Sequence, residues 1–295
     1  MSAEQCDVSC VVLVDKPIGP TSFEMVRVAR RGVRGRVGHA GTLDPFASGL
    51  LLVMVGHATR VSGLLMELPK EYEVSVQFGA VSTTADPTGG IVPTGAGPIQ
   101  AGQVSAALDR FKGRIRQRVP MTSAVKVDGE RLYRKAHRGE TGETPEREVT
   151  VHDLSMTGFD QRAQSAQLVV ITGRGTYVRT LAEDIGSAVG VGGYAAALRR
   201  TRIGDFSVEE ALDPAELSLE RYLAGGEGVF SLDEALSFLP RLELGAREAR
   251  LAANGNQLLS APIGRFRVYG PEGLLGVYEG RAAGARPMVV FPRPL

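Results

Sequence analysis

The apolar run LLLVMV (50–55) follows directly on GHAGTLDPFASG (38–49), a stretch that holds three glycines and an Asp-Pro pair. Such a run is far short of the roughly 18 to 20 residues a membrane-crossing helix needs. It is also too apolar for an edge strand, so it reads as a strand buried in a sheet. The glycines and Asp44-Pro45 supply turn chemistry. A plain turn, however, has no use for His39, Leu43 and Phe46 held around Asp44. The loop is therefore shaped as well as flexible. Taken alone, Asp44 reads equally well as a turn starter, and His39 as an ordinary core or surface histidine.

Neighbouring segments extend the sheet. VVLVDKP ends a strand at Lys16 and Pro17, and TSFEMVRVARR reads as a helix capped by Thr21 or Ser22. EYEVSVQFGAVS alternates, which puts Tyr72, Val74, Val76 and Phe78 on one face. The Gly-, Pro- and Thr-rich segment 82–98 reads as a long surface loop. VSAALDRFKG looks helical, VTVHDLSMTGF and AQLVVIT look like paired strands, and TYVRTLAEDIGSAVG begins another helix. Strands outnumber helices and mostly follow one another, which predicts an α+β fold on a mixed, largely antiparallel sheet. The expected organisation is a main domain over 1–206 with an insertion at about 120–147, an acidic helical connection over 207–240, and a small β-rich domain over 241–295.

The net charge of +1 hides an asymmetry. Between Arg110 and Arg138 ten Lys or Arg face two acids, whereas between Glu209 and Arg250 ten acids face four arginines. Five more arginines, at 27, 30, 31, 34 and 36, precede the glycine loop with no acid among them. Localised basic stretches of this kind fit a polyanionic partner. Cys6 and Cys10 match neither a disulfide framework nor a CxxC pair and read as free thiols. The four histidines lack metal-ligand spacing, and GRGTYVRT has Val178 where a dinucleotide fingerprint needs its third glycine, so neither a metal nor a nucleotide cofactor is expected. With no leader-like N-terminus, the expected location is the cytoplasm.

Four motifs, DKPIGPTS, GHAGTLDPFASGLL, KEYEV and GTYVRTL, stand in the order found in the TruB family, and over most of residues 11–204 the chain resembles those bacterial tRNA pseudouridine synthases. The resemblance implies a pseudouridine-synthase catalytic domain with a thumb-like insertion and a PUA-like C-terminal domain. It implies isomerisation of uridine-55 in the tRNA T-loop without cofactor, guide RNA or membrane, by a monomer. It also implies roles. Asp44 would be the essential carboxylate, Tyr72 the ring stacked on the target base, and Arg179 the partner of Asp44. Tyr177 would support the pocket, Leu198 would lie beneath the uracil, and His39 would fill the space left by the flipped base. Lys16 and Pro17 would support the loop. Arg131, Arg134, Lys135 and Arg138, at three- and four-residue spacing, would hold the T-arm backbone.

Two departures stand out, Thr122 where the family usually has tyrosine and Glu24 where it usually has aspartate. Other readings compete: a non-catalytic tRNA-binding or folding module, a small-molecule carboxylate hydrolase, and a guide-RNA-dependent relative. Asp44, Tyr72 and Arg179 together weigh against the first, and the basic insertion weighs against the other two.

Overall fold

A computed structural model describes residues 8–123, 125–127, 129–140 and 142–292. The chain runs β1 (Cys10–Lys16), α1 (Ser22–Ala29), β2 (Val37–Ala40), β3 (Ser48–Val55), α2 (Ser62–Glu67), β4 (Lys70–Phe78), β5 (Ala80–Ser82) and β6 (Ile91–Pro93). It continues through α3 (Ala101–Leu108), β7 (Gly113–Arg118), β8 (Lys126–Val127), β9 (Glu130–Arg131), α4 (Leu132–His137), β10 (Glu146–Asp160), β11 (Ser165–Thr172), α5 (Val178–Ala188), β12 (Gly193–Ile203) and β13 (Phe206–Ser207). The last elements are α6 (Leu219–Ala224), β14 (Val229–Ser231), α7 (Leu232–Ala235), β15 (Arg241–Glu243), α8 (Ala246–Ala253), β16 (Gly264–Gly270), β17 (Gly273–Arg281) and β18 (Gly284–Val290).

The main sheet has ten strands, in the order β14-β1-β3-β12-β4-β11-β10-β7, with β2 on β3 and β13 on β12. Its pairings are antiparallel except where β12 meets β3. The fold is thus α+β around a mixed, largely antiparallel sheet, as the strand pattern predicts. β3 is apolar throughout because it feeds two cores. Leu50, Leu52 and Met54 point into one, and Leu51, Val53 and Val55 into the other. Each fully buried aliphatic side chain of this kind contributes about 1.5–3 kcal/mol relative to exposure. α1 starts where Thr21 and Glu24 form a reciprocal capping box, so Glu24 is long enough to serve the helix.

Two regions differ from expectation. The segment 82–98 is not a plain surface loop: β5 and β6 form a hairpin whose tip turns inward, burying Ala85 and Asp86. The segment 207–240 is more than a connection. Leu212, Leu217, Tyr222 and Val229 pack beneath β1, and β14 extends the main sheet along β1. The C-terminal four-stranded sheet, β15-β16-β17-β18, lies against the main body through Tyr269, Leu274, Val277 and Phe291. Among the described residues no helix is long and apolar enough to cross a membrane. Cys10 is a buried free thiol, and Cys6 lies outside the described residues.

Candidate active site

β2 and β3 pair antiparallel from Val37–Val55 to Ala40–Leu52, and the chain between them stands off the sheet as a loop carrying Asp44. Leu43 and Phe46 fold down from that loop into the core beside Tyr72, Val74 and Leu198, which explains the apolar residues around the aspartate. The Ser22 hydroxyl clamps the loop from the side: it accepts from the Leu43 amide at 2.8 Å and donates to the Leu43 carbonyl at 3.0 Å. The Gly19 amide donates to the Pro45 carbonyl at 2.7 Å. Asp44 is therefore pinned on both sides. Gly49 is needed where β3 meets β12. Its φ is +102°, and a Cβ there would sit 2.3 Å from the Arg200 carbonyl oxygen.

Asp44 meets Arg179, from the first turn of α5. The guanidinium Nε lies 2.7 Å from one carboxylate oxygen and Nη2 lies 3.3 Å from the other. Such two-point contact fixes orientation as well as charge. Nη1 of the same guanidinium lies 3.1 Å from Asp86 and donates to the Thr84 carbonyl and the Thr122 hydroxyl at 2.9 and 2.8 Å. Asp86 is held by the Thr84 and Thr88 hydroxyls at 2.7 and 2.5 Å and by the Thr88 amide at 2.9 Å. One buried arginine thus bridges two carboxylates, leaving the trio one negative charge. Thr122, the departure from the family pattern, supplies an acceptor to Arg179.

Packing around Asp44 pushes its carboxyl above the ordinary aspartate range, the Arg179 guanidinium opposes that shift, and Asp86 adds to it. The side chain nonetheless keeps 32% of its surface open, so the carboxylate can be reached from solvent. Tyr72 and Leu198 pack in the same cluster as Leu43 and Phe46 of the Asp44 loop. Both are buried, Tyr72 on β4 and Leu198 on β12 at the register partner of Val74.

Beneath the loop lie three buried cations, Lys16, Lys70 and Arg200. The Lys16 amine donates to the Pro17 and Pro20 carbonyls at 2.8 and 2.9 Å, so it braces the chain before α1 and presents no surface to a substrate. The Lys70 amine donates to the Met66 and Leu68 carbonyls. Arg200 donates to the Leu50 carbonyl at 2.7 Å and the Gly41 carbonyl at 3.0 Å, and its guanidinium carbon lies 5.9 Å from the Tyr72 ring centre. Burial pushes the Lys16 and Lys70 amines down to about 8. His39, on β2, is half-buried, and among the described residues its Nδ1 has no hydrogen-bond partner. Burial, helped by Arg200, lowers its pKa and favours the neutral ring.

Tyr177 caps the start of α5. Its amide donates to the Gln117 side chain at 3.0 Å, and Arg147 lies 5.9 Å from its ring centre. In the insertion, Arg131 precedes α4, Arg134 and Lys135 lie on it, and Arg138 ends it. The four gather on one short element between β7 and β10. Arg138, however, is committed locally, with contacts of 2.6 and 2.9 Å to Glu130 and 2.6 Å to Glu140. Sequence reasoning missed Asp86, Thr84, Thr88 and Arg200. The one available signal was TTADPTGG, a second Asp-Pro in a turn-rich stretch. Among the described residues no three His, Cys, Asp or Glu side chains gather as metal ligands.

The geometry supplies an oriented carboxylate in an apolar recess, a setting suited to nucleophilic or proton-transfer chemistry on a ring that enters it. The family model of the TruB pseudouridylate synthase N-terminal domain matches residues 29–178, and that of the tRNA pseudouridylate synthase B C-terminal domain matches residues 179–236. The tRNA pseudouridine synthase B of Thermobifida fusca is 42% identical over 295 residues, covering 95% of this chain and 98% of that one. That of Aquifex aeolicus is 36% identical over 272 residues, covering 91% of each. Among solved structures, a chain of an H/ACA RNP bound to a substrate RNA containing 2′-deoxyuridine superposes with a TM-score of 0.72 at 22% identity, covering 96% of this chain and 84% of that one, a likeness of fold alone. With both domain models matched and relatives of this identity spanning nearly its full length, the chain belongs to the TruB family of pseudouridylate synthases.

Proposed function

We propose that the protein converts uridine-55 in the T-arm of tRNA to pseudouridine, with Asp44 as the reacting carboxylate and the target base flipped into the recess beside it. The observation that carries this reading is Asp44 itself: oriented by Arg179, carried on a loop whose Leu43 and Phe46 pack with Tyr72 and Leu198, and partly open to solvent. The reaction breaks the bond between C1′ and N1 of the uridine, turns the base and joins C1′ to C5. A proton leaves C5 and one is gained at N1, so the balance closes without oxidant, reductant or co-substrate. Attack on C6, attack on C1′ and removal of the 2′ proton each need an ionised Asp44.

Flipping a stacked base costs a few kcal/mol. Stacking on an aromatic ring returns about 1–3 kcal/mol, the role assigned here to Tyr72. His39 would enter the space the base leaves. Tyr177 supports the recess, Lys16 braces the loop, and Arg131, Arg134 and Lys135 grip the T-arm backbone, while Arg138 is held by Glu130 and Glu140. If the Tyr72 hydroxyl moves a proton, Tyr72→Phe stops turnover while RNA binding persists; normal turnover would leave it a stacking role only.

The deciding experiment incubates the purified chain with unmodified tRNA transcript and, separately, with a T-arm hairpin, then maps pseudouridine at single-nucleotide resolution. Conversion at one T-loop uridine without added RNA or protein is expected. Conversion only after a guide RNA is supplied would favour the guided relatives instead.

A further inference from the structure

The five arginines at 27, 30, 31, 34 and 36 belong neither to the recess nor to the insertion. All five are exposed, and among the described residues none of their side chains makes a salt bridge or a hydrogen bond. Glu24, at the start of α1, holds the Thr21 amide and hydroxyl at 2.7 and 2.9 Å and feels Arg27 through space without an ion pair. α1 buries Ser22, Met25, Val26 and Ala29 and turns Phe23, Arg27 and Arg30 outward at i, i+4 and i+7, one side of a helix. Phe23 is 64% exposed, and Ile18, just before the helix, is 68% exposed. An exposed aromatic beside unpaired guanidiniums is the combination that binds nucleic acid, stacking with one and neutralising phosphate with the others.

Position makes the case specific. The first residue of α1, Ser22, is hydrogen-bonded to Leu43, and Gly19 is bonded to Pro45, so this surface is fastened to both neighbours of Asp44. Through Arg36 it runs on into β2, which carries His39. α1 packs on β1, β2 and β3, near one end of the sheet, whereas the insertion rises between β7 and β10 at the other end. A polyanion lying on the arginines arrives beside the reacting carboxylate from the side opposite the insertion.

We propose that the outer face of α1 and the turn into β2, comprising Phe23, Arg27, Arg30, Arg31, Arg34 and Arg36, is a docking track for the phosphate backbone of the substrate RNA, forming with the insertion a two-sided grip across the recess. This rests on the reading that the substrate is RNA. The contrast with Arg138 supports it: that arginine is neutralised by two glutamates, whereas the arginines of the track are left for an outside anion.

The test compares wild type with Arg30→Gln/Arg31→Gln/Arg34→Gln and with Arg247→Gln/Arg250→Gln on α8. Binding and single-turnover conversion of the T-arm hairpin and full tRNA are followed over a series of salt concentrations. Each phosphate contact contributes about 0.9 to the slope of log K against log salt on a duplex. The triple variant should therefore lose about 2 to 3 from that slope and bind at least about tenfold more weakly, with the loss in KM rather than in kcat. The α8 variant should keep the wild-type slope. A triple variant with wild-type affinity and slope, beside a wild type that binds and converts RNA, overturns the track and leaves the proposed function standing. A wild type that neither binds nor converts RNA overturns both. Loss of binding to phosphatidylserine vesicles with RNA binding unchanged would assign the surface to a membrane instead.

Discussion

Two buried charge clusters support the same loop on opposite principles. In one, Arg179 is shared between Asp44 and Asp86, so charge faces charge at 2.7 and 3.1 Å. In the other, Lys16, Lys70 and Arg200 have no carboxylate within ion-pair distance among the described residues and are held by main-chain carbonyls. Carbonyl dipoles satisfy the donors without cancelling the charge, so a positive field remains under the loop. Lys16 accordingly favours the ionised form of Asp44, while Asp86 disfavours it. The Asp44 side chain is 32% exposed, whereas Arg179, Asp86, Lys16, Lys70 and Arg200 are each 6% or less. The group proposed to react is the one with an opening, and the other five are placed to fix its position and its charge.

The largest expected effect comes from breaking the first cluster at its reacting member. Asp44→Asn keeps the shape and removes the anion, so single-turnover conversion should fall by on the order of 10³-fold or more. RNA affinity should stay within a few-fold of wild type. Turnover near the wild-type rate would remove Asp44 from the mechanism.

Asp86→Asn asks whether the second carboxylate is a positioning residue. Arg179 would lose a charged anchor, and displacement of a catalytic group by about 1 Å costs about 10²-fold in rate. The acid limb of the pH profile should also move to lower pH, because a negative neighbour that raises the Asp44 pKa is gone. Lys16→Met, in the other cluster, should move the same limb upward with a smaller loss of rate. Limbs that shift together, or not at all, would show that the clusters do not set the charge of Asp44.

Much of this arrangement is legible in the sequence because it is local. The alternation of Tyr72, Val74, Val76 and Phe78 and the apolar run of β3 follow from spacing alone, and the cap of α1 is narrowed to Thr21 or Ser22, of which the structure uses Thr21. Asp86 is not legible in that way. It lies in a stretch whose composition says turn, and its partner Arg179 is 93 residues away, so no local pattern ties them. Arg200 is hidden for a related reason. In the basic run LRRTRIG its charge says surface, yet β12 buries it between β3 and β4, where it donates to the Gly41 carbonyl. Arg138 shows the converse: the helical spacing assigns it to the T-arm, while Glu130 and Glu140 occupy it.

Arg200→Met tests the scaffold directly. The substitution relieves a buried charge, which favours folding, but it leaves the Leu50 and Gly41 carbonyls without that donor. Hydrogen bonds to charged groups contribute about 1.5–3 kcal/mol each, so a net loss of about 2 kcal/mol in denaturant unfolding is expected. Activity should fall less than in Asp86→Asn, since Ser22 and Gly19 still clamp the loop. Unchanged stability would mean that the carbonyl-held cations do not support the loop.

The smallest effect separates the clusters by pH. Lys16 and Lys70 lie near 10.5 in the unfolded chain and about 8 in the folded one. Below pH 8 both states carry the protons, and the cost of burying the two charges is fully present. Above it the unfolded state holds more protons than the folded state, so stability rises with pH toward 10.5. From about pH 9 the buried Cys10 thiol, and beyond pH 10 the buried tyrosines Tyr269 and Tyr278, each raised to about 12, act in the opposite sense. The informative window is therefore pH 8 to about 9, where wild type should gain on the order of 1 kcal/mol in urea unfolding. Lys16→Met should lose part of that gain, whereas Asp86→Asn should retain it, because that substitution leaves both buried lysines in place. A flat wild-type curve, or one that Asp86→Asn flattens as strongly as Lys16→Met, would remove the alkaline gain from the carbonyl-held lysines.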